Sequence, residues 1–309
     1  MTYTVTLNPA IDKTVEIPDF TAGKVNRVQS LRIDAGGKGI NVTKCLASLG
    51  QKSIAAMILG GNSGESIRQM LAQQGISTLV VTVAGETRTN LKIVDSTGYT
   101  NTDINEPGPM VSKEVLLQLK NKIGNVIRPG DVVILSGSLP KGADAETYQQ
   151  WCQYFQSLGA QVYLDADGEA MRLGIQAVPY LIKPNDEELS RLLGKPMDSL
   201  EDLLQAGHTL LDSGIQEVVI SLGGKGALFL NQEGSYLAEA LTVPVRSTVG
   251  AGDSMVAAMA YSKEKNLSRE EQIRLAVAMG AASVMCDGTQ APEKDLVWEL
   301  AKQVKIQEV

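Results

Sequence analysis

The sequence predicts an α/β protein with a mostly parallel central sheet, helices on both faces, and a small second sheet projecting from it. Three observations carry this. Hydrophobic residues make up 43% of the 309 but aromatic residues only 4%, and there are 30 glycines. A core of that kind is built from Val, Ile, Leu and Ala, as in buried parallel sheets. The strand-like runs are short, β-branched and unalternated, and helical patterns separate many of them, which is the rhythm of βαβ units.

In chain order, Tyr3–Leu7 reads as the first buried strand. Lys13–Ile33 then breaks the rhythm: it is polar and alternating, with no helical pattern, and Thr14-Val15-Glu16-Ile17 reads as a half-exposed strand. Gly39–Leu49 is helical, Ser53–Leu59 a strand, Ser63–Gln74 a helix and Leu79–Val83 a strand. Thr87–Asn105 is a second break, carried by Asn90-Leu91-Lys92-Ile93-Val94. Lys113–Val126 and Ala145–Leu158 read as helices alternating with strands at Asp131–Leu135 and Gln161–Leu164. A short helix at Gly168 to Leu173 and a strand at Tyr180–Ile182 follow. Helices at Glu187–Leu193 and Leu200–Asp212 lead to strands at Glu217–Ser221 and Ala227–Leu230. After strand-like Leu241–Arg246 the chain turns helical: Gly252–Lys265, Arg269–Cys286 and Glu293–Val304. The length suits one large domain over 1–309, with the two polar stretches inserted at about 13–33 and 87–105. Together they make a small sheet, one face of which needs covering by a substrate cleft or a second subunit.

The net charge is −7 and the pI about 5.0, so the basic surface of a nucleic-acid binder is missing. A local basic pocket for phosphorylated substrates remains compatible with that balance. Cys45, Cys152 and Cys286 are widely spaced in apolar stretches and read as reduced core thiols without metal spacing. The single histidine, His208, excludes a histidine triad or a His-rich metal site. With no leader-like or membrane-spanning apolar run, a cytoplasmic location is expected.

Two motifs carry chemistry. Thr248-Val249-Gly250-Ala251-Gly252-Asp253-Ser254 follows the strand-like Leu241–Arg246 and opens a helix. Its glycines let backbone N–H groups converge on an anion, and the helix N-terminus favours negative charge there. Asp253 stands where a phosphoryl group and an incoming hydroxyl could meet, and could orient that hydroxyl and accept its proton. The plain alternative is a glycine-rich turn capped by an aspartate. No Lys-Ser/Thr follows the glycines, so this is not a P-loop, and no dinucleotide fingerprint is present. Ala35-Gly36-Gly37-Lys38-Gly39-Ile40-Asn41-Val42 opens an earlier helix. It offers close backbone approach, a positive charge and an amide, a set suited to a polyhydroxylated anion or, more plainly, a flexible turn with a solvated lysine.

In this order and about two hundred residues apart, the two motifs resemble the pfkB-type carbohydrate kinase (ribokinase-like) family. Thr6-Leu7-Asn8-Pro9-Ala10-Ile11-Asp12 is similar to its opening strand and substrate aspartate. Leu135-Ser136-Gly137-Ser138-Leu139-Pro140, Lys183-Pro184-Asn185-Asp186-Glu187-Glu188 and Ser221-Leu222-Gly223-Gly224-Lys225-Gly226 resemble its S-G-S-L-P, N-x-x-E and nucleotide-loop segments. The resemblance implies a three-layer α/β/α sandwich with a small β-sheet lid, and an ATP-dependent kinase using Mg²⁺. Asp253 would be the base, with the amides of Gly250, Ala251 and Gly252 as an anion hole. Asp12, Gly36, Gly37, Asn41 and Ser138 would hold sugar hydroxyls. Lys38 and Arg88, with Arg27 a further candidate, would grip the phosphate already on the sugar. Lys183, Asn185, Ser221, Gly223 and Gly226 would line the nucleotide, and Glu188 would help place Mg²⁺ through water. Lids of this branch pair between subunits, so a homodimer is implied. The branch acts on ketohexose phosphates. Thr87-Arg88-Thr89-Asn90-Leu91-Lys92 and Asn105-Glu106-Pro107-Gly108-Pro109 resemble enzymes taking fructose 1-phosphate; a tagatose-6-phosphate kinase and a non-catalytic sugar-phosphate sensor are the alternatives.

The match departs in places. Asp167 stands in Asp165-Ala166-Asp167-Gly168-Glu169-Ala170 where relatives often have Ser, and reads as a helix cap in preference to an outer partner of the metal near the nucleotide. Cys286 stands near the implied adenine pocket and reads as helix packing. Parts of the family hold a monovalent cation near segments matching Ser247–Val249 and Gly288; none is expected here.

Overall fold

The structure is a computed structural model and describes residues 1–98 and 100–309. In chain order its elements are β1 (Thr2–Thr6), β2 (Ala10–Glu16), β3 (Ser30–Gly36), α1 (Lys38–Ser48), β4 (Ser53–Leu59), α2 (Gly61–Gln73), β5 (Ser77–Thr82), β6 (Arg88–Asp95) and β7 (Thr100–Asn105). Then come α3 (Lys113–Gly124), β8 (Val132–Ser136), α4 (Thr147–Ser157), β9 (Gln161–Asp165), α5 (Gly168–Gly174), β10 (Leu181–Ile182), α6 (Asp186–Leu193) and α7 (Leu200–Asp212). The chain ends with β11 (Glu217–Ser221), β12 (Ala227–Asn231), β13 (Gly234–Ala238), α8 (Ala251–Lys265), α9 (Arg269–Val284), α10 (Lys294–Ala301) and β14 (Ile306–Glu308).

Among the described residues, a ten-stranded sheet runs β14-β13-β12-β11-β10-β9-β8-β1-β4-β5. From β11 to β5 every neighbouring pair is parallel, and the other edge is antiparallel. Alternate residues of each parallel strand are buried on opposite faces. Val133, Leu135, Val162 and Leu164 pack with α3, α4 and α7 through Leu119, Trp151, Phe155 and Leu210. Ile134, Tyr163 and Val219 pack with α1, α8 and α9 through Leu46, Val256 and Ala276. This double burial explains why the strands read as unbroken apolar runs. The layers are therefore helices, sheet, helices.

β1 lies in mid-sheet. The chain leaves it toward β4 and β5 and returns on its other side at β8. The carboxyl ends of β1 and β8 thus flank a topological switch point, where open α/β sheets form their crevice.

The two polar stretches form a four-stranded sheet, β3-β2-β6-β7. Its strands begin earlier than the polar pattern indicated, because β2 pairs from Ala10 onward. Asp12 consequently belongs to this small sheet and not to the opening strand of the large one. Tyr99, inside the expected 87–105 stretch, lies outside the described residues. Leu241–Arg246 is not a strand. Pro244 has no N–H for a ladder, and Leu241, Val243 and Val245 face a cleft instead of a sheet neighbour. β13 and β14 were not expected. Cys45 and Cys152 are buried free thiols, and Cys286 is half-buried with Sγ donating to the Ala282 carbonyl at 3.5 Å. Among the described residues no helix is long and apolar enough to cross a membrane.

Candidate active site

A cleft of about 1070 Å³ opens at the carboxyl ends of β1 and β8. One end is roofed by the small sheet, through Asp12, Arg88, Asn90 and Asn105. The other lies among Ser221, Gly223, Gly226 and the coil from Ala240 to Val249. Asp253 sits between the two ends.

Helix α8 begins after Gly250, whose φ of 85° places it in the left-handed region. No side chain caps this helix, so the first N–H groups of α8 are free for an anion. Asp253, in the first turn, is 5% exposed. Asn41 Nδ2 donates to its Oδ2 at 2.8 Å. Burial, then the nearby Asp165 charge, raise the Asp253 carboxyl to about 6 against the pull of Lys38, Asn41 and Lys183. A carboxyl so tuned changes ionisation just below neutral pH, the range wanted in a base.

Asn41 is set by the turn before α1. Gly37 has φ 118°, and a Cβ there would lie 2.7 Å from Thr6 Cγ2, so the glycine is sterically required. Gly36 lies against the Asp12 carboxyl, leaving no room for a side chain.

The sequence reading missed Asp165 as a site residue. It ends β9, is 1% exposed, and lies 3.3 Å from Lys38 Nζ and 3.7 Å from Lys183 Nζ. Burial works to raise its carboxyl, but the two ammoniums prevail and hold it below its ordinary value. The Asp165 charge, in turn, raises Lys38 above its usual range. Lys38, expected to grip the sugar's phosphate, lines the cleft with its ammonium beside Asp165. Lys183 crosses Gly252, where an added Cβ would lie 2.8 Å from its Nζ. The one sequence signal for Asp165 was an aspartate at the end of a buried strand, the place where such sheets carry site residues.

At the small-sheet end, Asp12 Oδ1 accepts from Asn90 Nδ2 at 2.9 Å. Burial pushes the Asp12 carboxyl up, opposed by Asn90, Lys44 and Arg88. Arg88 donates from Nε and Nη2 to the Asn8 carbonyl at 3.2 and 3.0 Å and from Nη1 to the Glu106 carbonyl at 3.2 Å. That leaves two of its five N–H groups free. Ser138 is at the cleft rim and accepts from Asn8 Nδ2 at 3.4 Å. Arg27 lies on the exposed β2–β3 loop and lines no part of the cleft.

At the other end, Asn185 and Glu188 form a reciprocal cap on α6. Asn185 Oδ1 accepts from the Glu188 amide at 2.7 Å, and Glu188 Oε2 from the Asn185 amide at 2.9 Å. The N-x-x-E spacing is thus a capping box with one Glu188 oxygen to spare. Asp167 occupies the N-cap position of α5 but accepts no capping hydrogen bond, and its side chain lines the cleft. Leu241, Val243, Val245, Val277, Ala281 and Val284 give this end an apolar wall that no motif announced. Among the described residues no group of three or more His, Cys, Asp or Glu could hold a metal unaided.

The model of the pfkB family carbohydrate kinases matches residues 4–296. The chain belongs to the pfkB carbohydrate kinase family. It is 36% identical over 304 residues to the 1-phosphofructokinase of Haemophilus influenzae, covering 98% of this chain and 97% of that one. It is 40% identical over 280 residues to that of Xanthomonas campestris, covering 89% and 88%. Among solved structures, phosphofructokinase-2 from Escherichia coli in complex with substrates and products superposes with a TM-score of 0.94 at 31% identity, covering 98% of each chain. The three-layer fold with its small sheet is that of this pfkB family, whose kinases use ATP.

Proposed function

We propose that this pfkB kinase is a 1-phosphofructokinase, transferring the γ-phosphoryl group of ATP to the C6 hydroxyl of fructose 1-phosphate. The observation that carries the reading is Asp253, buried at the uncapped N-terminus of α8 with Asn41 on one oxygen and a carboxyl raised to about 6. The names of the curated relatives support the acceptor.

In this reading the C6 oxygen attacks the γ-phosphorus as its proton passes to Asp253, and ADP leaves. The amides of Gly250, Ala251 and Gly252 face the developing charge. Lys38 and Lys183, anchored on Asp165, bracket the transferring group. Asp12, Gly36, Gly37, Asn41 and Ser138 hold sugar hydroxyls, and the free N–H groups of Arg88 meet the fixed phosphate. Asn185, Ser221, Gly223 and Gly226 follow the nucleotide phosphates and ribose, and the apolar wall takes the adenine. Mg²⁺ would travel on the ATP phosphates, neutralising them and keeping much of its water shell. Glu188, and Asp165 Oδ2, buried without a hydrogen-bond partner among the described residues, would offer carboxylate oxygens, with Asp167, Asp186 and Glu187 also on the cleft wall.

The chain is read as one domain whose small sheet serves as lid. Leu31, Ile33 and Ile104 are exposed on its strands, and Val25 (84%) and Val28 on its β2–β3 loop, more apolar surface than a solvated edge tolerates. A second copy of the chain is the proposed cover, which would also give Arg27 a neighbouring cleft to reach. One solved structure of the Escherichia coli relative is of a tetrameric inhibited form.

Steady-state kinetics on fructose 1-phosphate, tagatose 6-phosphate and fructose 6-phosphate test the assignment. The expected kcat/KM is highest for fructose 1-phosphate, by at least about tenfold. A higher value for either other sugar rejects the acceptor; ATP turnover with none of them rejects the kinase reading.

A further inference from the structure

Lys44 is an oddity in α1. Its neighbours Val42, Thr43, Cys45 and Leu46 are core residues, and Lys44 itself is only 6% exposed. Its Nζ donates to the Ala35 carbonyl at 2.9 Å and to Thr289 Oγ1 at 3.1 Å. Among the described residues no carboxylate oxygen lies within the 4.0 Å of an ion pair with it. A buried ammonium without a paired carboxylate is costly, and an apolar residue would pack there for less.

The three segments it joins meet behind the sugar end of the cleft. Ala35 pairs with Ile11 across β3 and β2, and Gly36, the next residue, lies against the Asp12 carboxyl. One turn earlier on the same helix, Asn41 holds Asp253. Thr289 belongs to the loop between α9 and α10, which also borders a smaller cavity lined by Asp12, Asp34 and Asn90.

We propose that Lys44 is a positioning residue for the sugar subsite: it ties α1 and the α9–α10 loop to the strand end entering the Gly36–Gly37 turn, and supplies the interior positive charge that keeps Asp12 a carboxylate acceptor. The charged and titratable groups around Lys44 are Asp34 from β3, Asp12 from β2, Asp253 from α8 and Cys45 from its own helix. Those around Asp12 are Lys44, Arg88 and Asp34, with the Asn90 amide. Burial drives the ammonium toward its neutral form, and the surrounding negative groups oppose that. Neutralising Lys44 removes an interaction that lowers the Asp12 pKa, so Asp12 takes up its proton at higher pH. The role assigned to Asp12 rests on the function proposed above; its titration does not.

Carboxyl carbon NMR of the aspartate-labelled protein, with Asp12→Asn to assign the signal, measures this directly in Lys44→Met and Lys44→Arg. The Asp12 midpoint is expected to rise by about one pH unit, a tenfold change, in Lys44→Met and to stay near the native value in Lys44→Arg. Alongside, KM for fructose 1-phosphate should rise about tenfold in Lys44→Met while KM for ATP stays within about twofold, with Lys44→Arg restoring it. An unmoved Asp12 midpoint in folded Lys44→Met overturns the proposal. Should that variant not fold, Thr289→Val decides: a sugar KM raised with ATP KM unchanged supports the tie, and an unchanged sugar KM overturns it. Wild-type protein inactive on fructose 1-phosphate would reject the activity reading alone, since the NMR titration still judges Lys44.

Discussion

The two sheets of this molecule are built from similar β-branched stretches and behave oppositely. In the large sheet, β1 and β8 are buried along their whole length on both faces. In the small sheet, β7 is exposed at every position and β3 buries only its last two residues, Ala35 and Gly36, where it turns into the cleft. The large sheet is covered by its own helices; the small one is tied to the body at one corner, by Ile11 and Ala35 packing on Ile40, Met57 and Ile67 and by polar bonds such as Gly60 N to Thr87 Oγ1 at 2.8 Å and Arg88 to the Asn8 carbonyl. The contrast teaches that most of the buried core belongs to the first sheet, while the second gives much of its surface to the cleft and to solvent. Two cleft carboxyls lie on either side of this divide, Asp253 on a helix of the large sheet and Asp12 on the small sheet.

The largest expected effect is on the large-sheet side. Asp253→Asn should lower kcat by about 10³-fold with the ATP dissociation constant little changed, measured by coupled assay and calorimetry. The same change should raise the melting temperature by roughly 2–4 °C. The Asp253 carboxyl is raised in the folded state, so at neutral pH its ionised form opposes folding and a neutral amide relieves that cost. Comparable turnover in both proteins would refute the role of Asp253.

Next comes packing. Leu135→Ala, in the centre of the large sheet, should cost about 2–5 kcal/mol in urea unfolding. Leu31→Ala, 57% exposed on the small sheet, should cost no more than about 0.5 kcal/mol. Equal losses would erase the contrast between the sheets. Leu31→Asp should instead act on assembly, giving a smaller species in size-exclusion chromatography and a higher sugar KM, with the melting temperature of the separated chain nearly kept.

The smallest effect is the pH dependence. If Asp253 accepts the proton it must be ionised, so kcat/KM should be full above about 6 and fall as pH drops through it. An acid limb centred near the ordinary aspartate value would contradict the burial of this group.

Much of this was legible because it is local. Buried strands declare themselves by apolar runs, helices by period and caps, and the Gly250–Asp253 and Gly36–Asn41 turns by residues that permit only a few backbone shapes. What depends on segments distant in sequence could not be read. Asp165 acquires its meaning from Lys38 and Lys183, which reach it from separate elements. Lys44 drew no reading from the sequence because its burial is decided by Thr289 and the strand in front of it. Leu241–Arg246 alternates like a strand, and only the folded chain reveals that its apolar side chains face a cleft.

The sequence alone therefore determined the α/β class, the order of most elements and the two glycine-rich turns that line the cleft, since propensity, periodicity and glycine stereochemistry act over a few residues. The tertiary structure alone decided which charges are buried together, which way the small sheet faces and how far Asp253 is tuned. Those quantities depend on desolvation and on Coulomb interactions between groups brought near only by folding.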